Sequence, residues 1–246
     1  MISIELNRLL AEIRSIPLDE SLSDDALGAL SHIYIAVYNM IAEDGTDDEY
    51  GDRKEYEAAL DTLCDLCRTR CERTPTAAES MSGTIYRLLR GPMRPADTER
   101  LVECRRWISE IVADGEQDGW NGIPVRDALD RMALLYDAAD FMPDPDRDSR
   151  LERLVALAGE QLLPELAGKT FLTTADCRAL ARLYDLTVWG PGMPDARTID
   201  TIAGLARQII DDALSESRLW GLAILTDLAC RRTSAALETE YFAYSA

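Results

Sequence analysis

One stretch of the chain lies over another 48 residues downstream, and this self-similarity limits the possible folds more than any single motif does. The segment RMALLYDAADFMPDPDRDSRLERLVALAGEQLL from Arg131 aligns with ALARLYDLTVWGPGMPDARTIDTIAGLARQII from Ala179. Leu135, Tyr136 and Asp137 fall on Leu183, Tyr184 and Asp185, while Leu157 and Ala158 fall on Leu205 and Ala206. Tyr86 in GTIYRLLRGPM and Tyr38 in IAVYNMIAEDG take the same place, so the four tyrosines are spaced 48, 50 and 48 residues apart. A shortened fifth copy follows, where LAILTDLA from Leu222 echoes LARLYDLT from Leu180.

Each unit reads as two helices. Leu27, Leu30, Tyr34, Val37 and Ile41 recur at helical spacing in one first helix, and Val125, Leu129, Met132 and Tyr136 do so in another. The second helices keep the period, as in Tyr56, Leu60, Leu63, Cys64, Cys67 and Cys71. Thr74-Pro75, the segment from Pro95 to Asp97, Pro194-Asp195, and the box-like pair Thr173 and Asp176 are helix-start signals. Gly91-Pro92, Pro143 with Pro145, and Gly190 to Gly192 close first helices, because glycine and proline break the helical ladder. Together these predict helices over 3–16, 23–43, 53–72, 76–90, 97–113, 123–140, 148–163, 174–189, 195–213 and 217–235. No alternating β-branched run is long enough for a sheet. The expectation is one all-α domain over 1–246: about ten helices in five antiparallel hairpins, stacked as an α-solenoid or a partial toroid.

These hairpins, with the LYD segment, the acidic or proline-bearing turn and a second amphipathic helix, resemble those of six-hairpin (α/α) toroid proteins. That group includes carbohydrate-processing enzymes. The period also suits HEAT-like or armadillo-like arrays, and is too long for tetratricopeptide units. No catalytic motif carries over from either resemblance.

Charge excludes several classes of function. The 246 residues hold 45 acidic against 26 basic side chains, a net charge of -19. A protein this acidic suits neither a phosphate backbone nor an anionic membrane surface, so no nucleic acid and no membrane partner is expected. The N-terminal segment has neither a basic n-region nor an apolar h-region, so no secretory signal is expected. The six cysteines suit reduced thiols in a cytoplasm, since a core of this size needs no disulfides.

Residues 1–50 carry 11 acidic and 2 basic side chains. Glu43, Asp44, Asp47, Asp48, Glu49 and Asp52 crowd one turn between two helices. As a calcium loop this run fails at its sixth position, where Glu49 stands in place of the required glycine. It reads as a solvated turn that could steer a basic partner. Trp120 and Asn121, in the glycine-flanked loop DGEQDGWNGIP, are the conspicuous loop residues: either a binding anchor or a plug over neighbouring hairpins.

Cys64, Cys67 and Cys71, with Cys104, could form a thiolate site, but three of them share an apolar helical face and read as small core hydrophobes. His32, the sole histidine, reads as packed rather than catalytic. Asp137 and Asp185 could act as an acid–base pair, though their equivalent placement suggests hydrogen bonds that close turns. Arg68, Arg70 and Arg73 read as internal partners of the acidic run. No catalytic residue, cofactor site or metal site is therefore assigned. The expected function is a non-catalytic helical-repeat module for protein or peptide binding, in a narrower form an acidic inhibitor or immunity-type protein. The alternative is a toroid-related carbohydrate-processing enzyme that uses paired carboxylates. Candidate partner-binding residues are Asp44, Asp47, Asp48, Glu49, Asp52, Trp120 and Asn121.

Overall fold

The computed structural model describes residues 2–44, 52–73, 75–89, 98–117, 124–142, 144–192, 195–211 and 215–244. Among them the chain forms helices and no strand. The helices are α1 (Ile2–Ile13), α2 (Asp24–Asp44), α3 (Arg53–Arg73), α4 (Pro75–Leu89), α5 (Thr98–Gln117), α6 (Val125–Asp137), α7 (Arg147–Leu157, continued to Ala167), α8 (Thr174–Trp189), α9 (Ala196–Asp211) and α10 (Ser215–Tyr244). No described helix is long and apolar enough to cross a membrane.

Local chemistry explains the boundaries. Thr173 Oγ1 accepts from the Asp176 N–H while the Asp176 carboxylate accepts from the Thr173 N–H, closing a capping box at the start of α8. The Asp195 carboxylate caps α9 by accepting from the N–H groups of Arg197 and Thr198. Several ends differ from expectation, among them α5, which runs to Gln117 instead of 113, and α10, which runs to Tyr244 instead of 235. Helix α1 stops at Ile13, and Ser15 and Ile16 continue only as a tight turn. Helix α7 runs past its expected end through a π-turn at Ala158–Leu162, in which the Leu163 N–H reaches back to the Ala158 carbonyl. Pro164 follows immediately and has no N–H to donate, so the wider turn lets the helix continue across it.

The packing order places the core. Helix α2 packs on α4, α4 on α6, α6 on α8, α8 on α10, and α10 returns to α2, so the contacts close into a cycle. The remaining helices lie outside it: α3 against α2 and α4, α5 against α4 and α6, α7 against α6 and α8, α9 against α8 and α10, and α1 against α10. Burial follows this division. Helix α3 buries the single stripe Tyr56, Leu60, Leu63, Cys64, Cys67 and Cys71, whereas α10 is buried on all sides from Leu219 to Leu225. Gly28 lets α2 approach α10 closely, because a Cβ there would stand 3.1 Å from the ring of Trp220. That ring is only 1% exposed, and its Nε1 donates to Asp25 at 2.9 Å.

Candidate functional site

The α2–α4–α6–α8–α10 cycle encloses charge. On α8, Arg178 pairs with Asp25 of α2 at 3.0 Å and Asp130 of α6 at 3.3 Å. One turn further on, Arg182 reaches Asp130 at 3.4 Å and places Nη1 3.1 Å from His32 Nε2. Arg87 of α4 places its own Nη1 3.3 Å from the same nitrogen. A guanidinium can only donate, so Nε2 must be the acceptor and the imidazole proton sits on Nδ1, facing Asp185 at 3.4 Å. Burial, with Arg87 and Arg182 beside it, holds His32 well below the ordinary histidine range. His32 is thus a neutral cross-link between three helices, and its basic lone pair is already in use.

Arg87 bridges two carboxylates, donating from Nε to Asp137 at 2.9 Å and from Nη1 to Asp185 at 3.4 Å. Burial raises both carboxyl groups, and Arg87 draws each back toward the ionised form. On the other side of α8, the Tyr184 hydroxyl donates to Asp227 of α10 at 2.7 Å. Burial pushes Asp227 up to about 6, against the opposing pull of Tyr184 and Arg231. Arg231 lies 3.2 Å from Asp227 and stacks on the Trp189 ring, with its guanidinium carbon 3.9 Å from the ring centre.

These groups line a cleft of about 850 Å³. It opens at the C-terminal ends of α4, α6 and α8, against the middle of α2 and α10, and falls within the size range of ligand pockets. Asn39, Arg87, Asp137, Asp185 and Asp227 reach it, one polar residue from each helix of the cycle. Tyr86, Tyr136 and Trp189 supply its aromatic walls, and Trp189 is 53% exposed.

The residues singled out in the sequence fare differently. Asp137 and Asp185 do converge, but through Arg87 across helices rather than through hydrogen bonds that close turns. Of the tyrosines, Tyr38, Tyr86 and Tyr184 are buried, while Tyr136 is half-buried and donates its hydroxyl to the Trp189 carbonyl. Asp52 accepts from the Lys54 N–H at the start of α3, an ordinary capping role. The side chains of Asp44, Asp47, Asp48, Glu49, Trp120 and Asn121 lie outside the described residues.

Arg70 pairs with Asp24 at the start of α2 and Arg73 with Glu20 just ahead of it, and Arg68 pairs within α3. Cys64, Cys67, Cys71 and Cys104 are buried. Burial pushes the Cys71 thiol up to about 12 and raises Cys67 and Cys104 as well, so these remain protonated thiols. Sequence reasoning missed Arg87, Trp189, Asp227 and Arg231. For Arg87 and Asp227 the available signal was position: they follow Tyr86 and Thr226 as Asp137 and Asp185 follow Tyr136 and Tyr184, and all four face the cleft.

The fold and site therefore define an all-helical protein with a charged, aromatic-walled cleft. Comparison with family models, curated proteins and solved structures finds no match.

Proposed function

We propose that the chain is a non-catalytic helical-hairpin module that binds a segment of a partner protein or a peptide in this cleft. The architecture behind the proposal is a ring of five hairpins, each repeat contributing an inner helix and an outer one. The inner members are α2, α4, α6, α8 and α10. Support for the repeat comes from Asn39, Arg87, Asp137, Asp185 and Asp227, which occupy one position of the period and all face the cleft. In such a ring the position after the tyrosine is the ligand-facing one.

One observation carries the binding reading: the acid–base groups of the cleft are already engaged with one another. His32 accepts from two guanidinium groups, Asp137 and Asp185 share Arg87, and Asp227 holds Tyr184. A general base needs a lone pair within reach of substrate, whereas these groups form a rigid, preorganised wall. The acidic run from Glu43 to Asp52 adds long-range attraction for a basic partner, which accelerates encounter without fixing the pose. Selection of a displayed random-peptide library on the full chain tests the reading. Enriched peptides should lose binding to an Asn39→Ala, Trp189→Ala variant that remains folded; enrichment that survives the variant would contradict it.

A second reading rests on Asp227, since a carboxyl raised to about 6 in an aromatic-walled cleft is suited to act as a general acid. It makes the protein a carbohydrate-processing enzyme. New reducing ends released from an oligosaccharide panel, and abolished by Asp227→Asn, would favour this reading over the first.

A further inference from the structure

At the mouth of the cleft, Arg231 sits between a carboxylate and an aromatic face. Its guanidinium stacks 3.9 Å from the centre of the Trp189 ring and lies 3.2 Å from Asp227. The arrangement is a complete cation seat, with a ring below and a negative charge beside it.

Its occupant is poorly held. The pair with Asp227 is an i,i+4 contact in which the carboxylate is mostly buried but the Arg231 side chain is about one-third exposed, so water competes for the guanidinium. Arg231 Nε is buried yet has no acceptor in hydrogen-bond geometry, so the contact is close but misdirected. Trp189 remains 53% exposed although Arg231 lies over it. The C-terminus of α8 lies at this point, and its carbonyl end favours positive charge.

We propose that the mouth of the cleft is a seat for a guanidinium or ammonium group carried by the partner, and that Arg231 is the intramolecular occupant it displaces. The proposal rests on the reading of the cleft as a protein- or peptide-binding site and names the chemistry of the anchor. A partner arginine approaching from outside can meet Asp227 with two parallel N–H groups and stack on Trp189, which the i,i+4 geometry denies to Arg231. Arg231 then swings into solvent.

Calorimetric titration of the full chain with acetyl-Gly-Arg-Gly-amide, and with its Lys, Gln and Glu counterparts, tests this. The Arg peptide should bind roughly tenfold more tightly than the Gln peptide, and Asp227→Asn or Trp189→Ala should each weaken it by about tenfold. Trp189→Phe keeps a ring and checks that any loss is not a folding defect. The decisive variant is Arg231→Gln. Removal of an internal competitor should tighten binding of the Arg peptide roughly fivefold or more, because the seat is then vacant. Unchanged or weaker binding to Arg231→Gln would overturn the proposal, as would a Gln or Glu peptide that binds equally well. Library peptides that bind in the cleft without a basic residue would also defeat it while leaving the binding function intact. If no peptide of any kind bound either form, the binding function itself would fall.

Discussion

The Cβ position of Gly83 on α4 points at a carboxylate oxygen of Asp137 on α6, only 2.6 Å away. A glycine inside a helix costs about 1 kcal/mol relative to alanine, so its presence needs a compensating reason. That reason is room: the Asp137 carboxylate sits where a methyl group would be, turned so that its other oxygen receives Arg87. Gly83→Ala should therefore destabilise the protein by about 1–3 kcal/mol, despite the better helix former, because it drives Asp137 off Arg87 and crowds Leu134. Urea unfolding of the variant measures this. A gain in stability would mean that the two helices have slack.

Arg87 holds two buried carboxylates, and its loss leaves both uncompensated. Arg87→Gln should cost about 3–5 kcal/mol at neutral pH. The deficit should shrink on acidification, since protonating Asp137 and Asp185 removes the buried charge. Unfolding free energies of wild type and variant at pH 7 and pH 4 give the comparison.

His32 should behave as a neutral Nδ1–H imidazole through the physiological range. Its ring nitrogens in an NMR spectrum should keep two distinct shifts, one of them typical of an unprotonated nitrogen, from pH 8 down to pH 5. The unfolded chain protonates its histidine near 6.5 while the folded chain does not, so this group lowers stability as pH falls through that value. A ring that titrates near 6.5 in the folded protein would mean that the two arginines do not face it.

Asp227 has the opposite sign. The folded protein holds a proton on it up to about pH 6, and the unfolded chain only to about 3.8. Its contribution to stability is therefore fully present below 3.8 and is lost as pH rises through 6, to an extent of about 2–3 kcal/mol. Asp227→Asn keeps an acceptor for Tyr184 and cannot ionise. The stability difference between wild type and this variant should slope across pH 4–6 and flatten above it. A flat difference throughout would place Asp227 in ordinary solvent.

Much of this fold was legible because helix signals are local. Leu60, Leu63, Cys64 and Cys67 declare one face of α3, and Thr173 with Asp176 announces the start of α8, as found. The overrun of α7 was not legible, since Pro164 ordinarily ends a helix and only the π-turn before it lets this one continue. The site was half visible. Asp137 and Asp185 stood out by their matching positions, but Arg87 lies 50 residues from one partner and 98 from the other. Nothing in a local pattern ties an arginine to carboxylates that far along the chain. Trp189 was equally hard to single out, since as the last residue of α8 it continues an ordinary helical pattern.

The proposed partner segment enters the cleft along its α8 and α10 walls. Amide hydrogen exchange of the full chain, with and without a library-selected peptide, tests this most directly. Protection should be gained at residues 184–189 and 223–235, with the outer helices α3 and α5 unchanged. Protection confined to the outer helices or to the acidic run from Glu43 to Asp52, with the cleft unaffected, would contradict it.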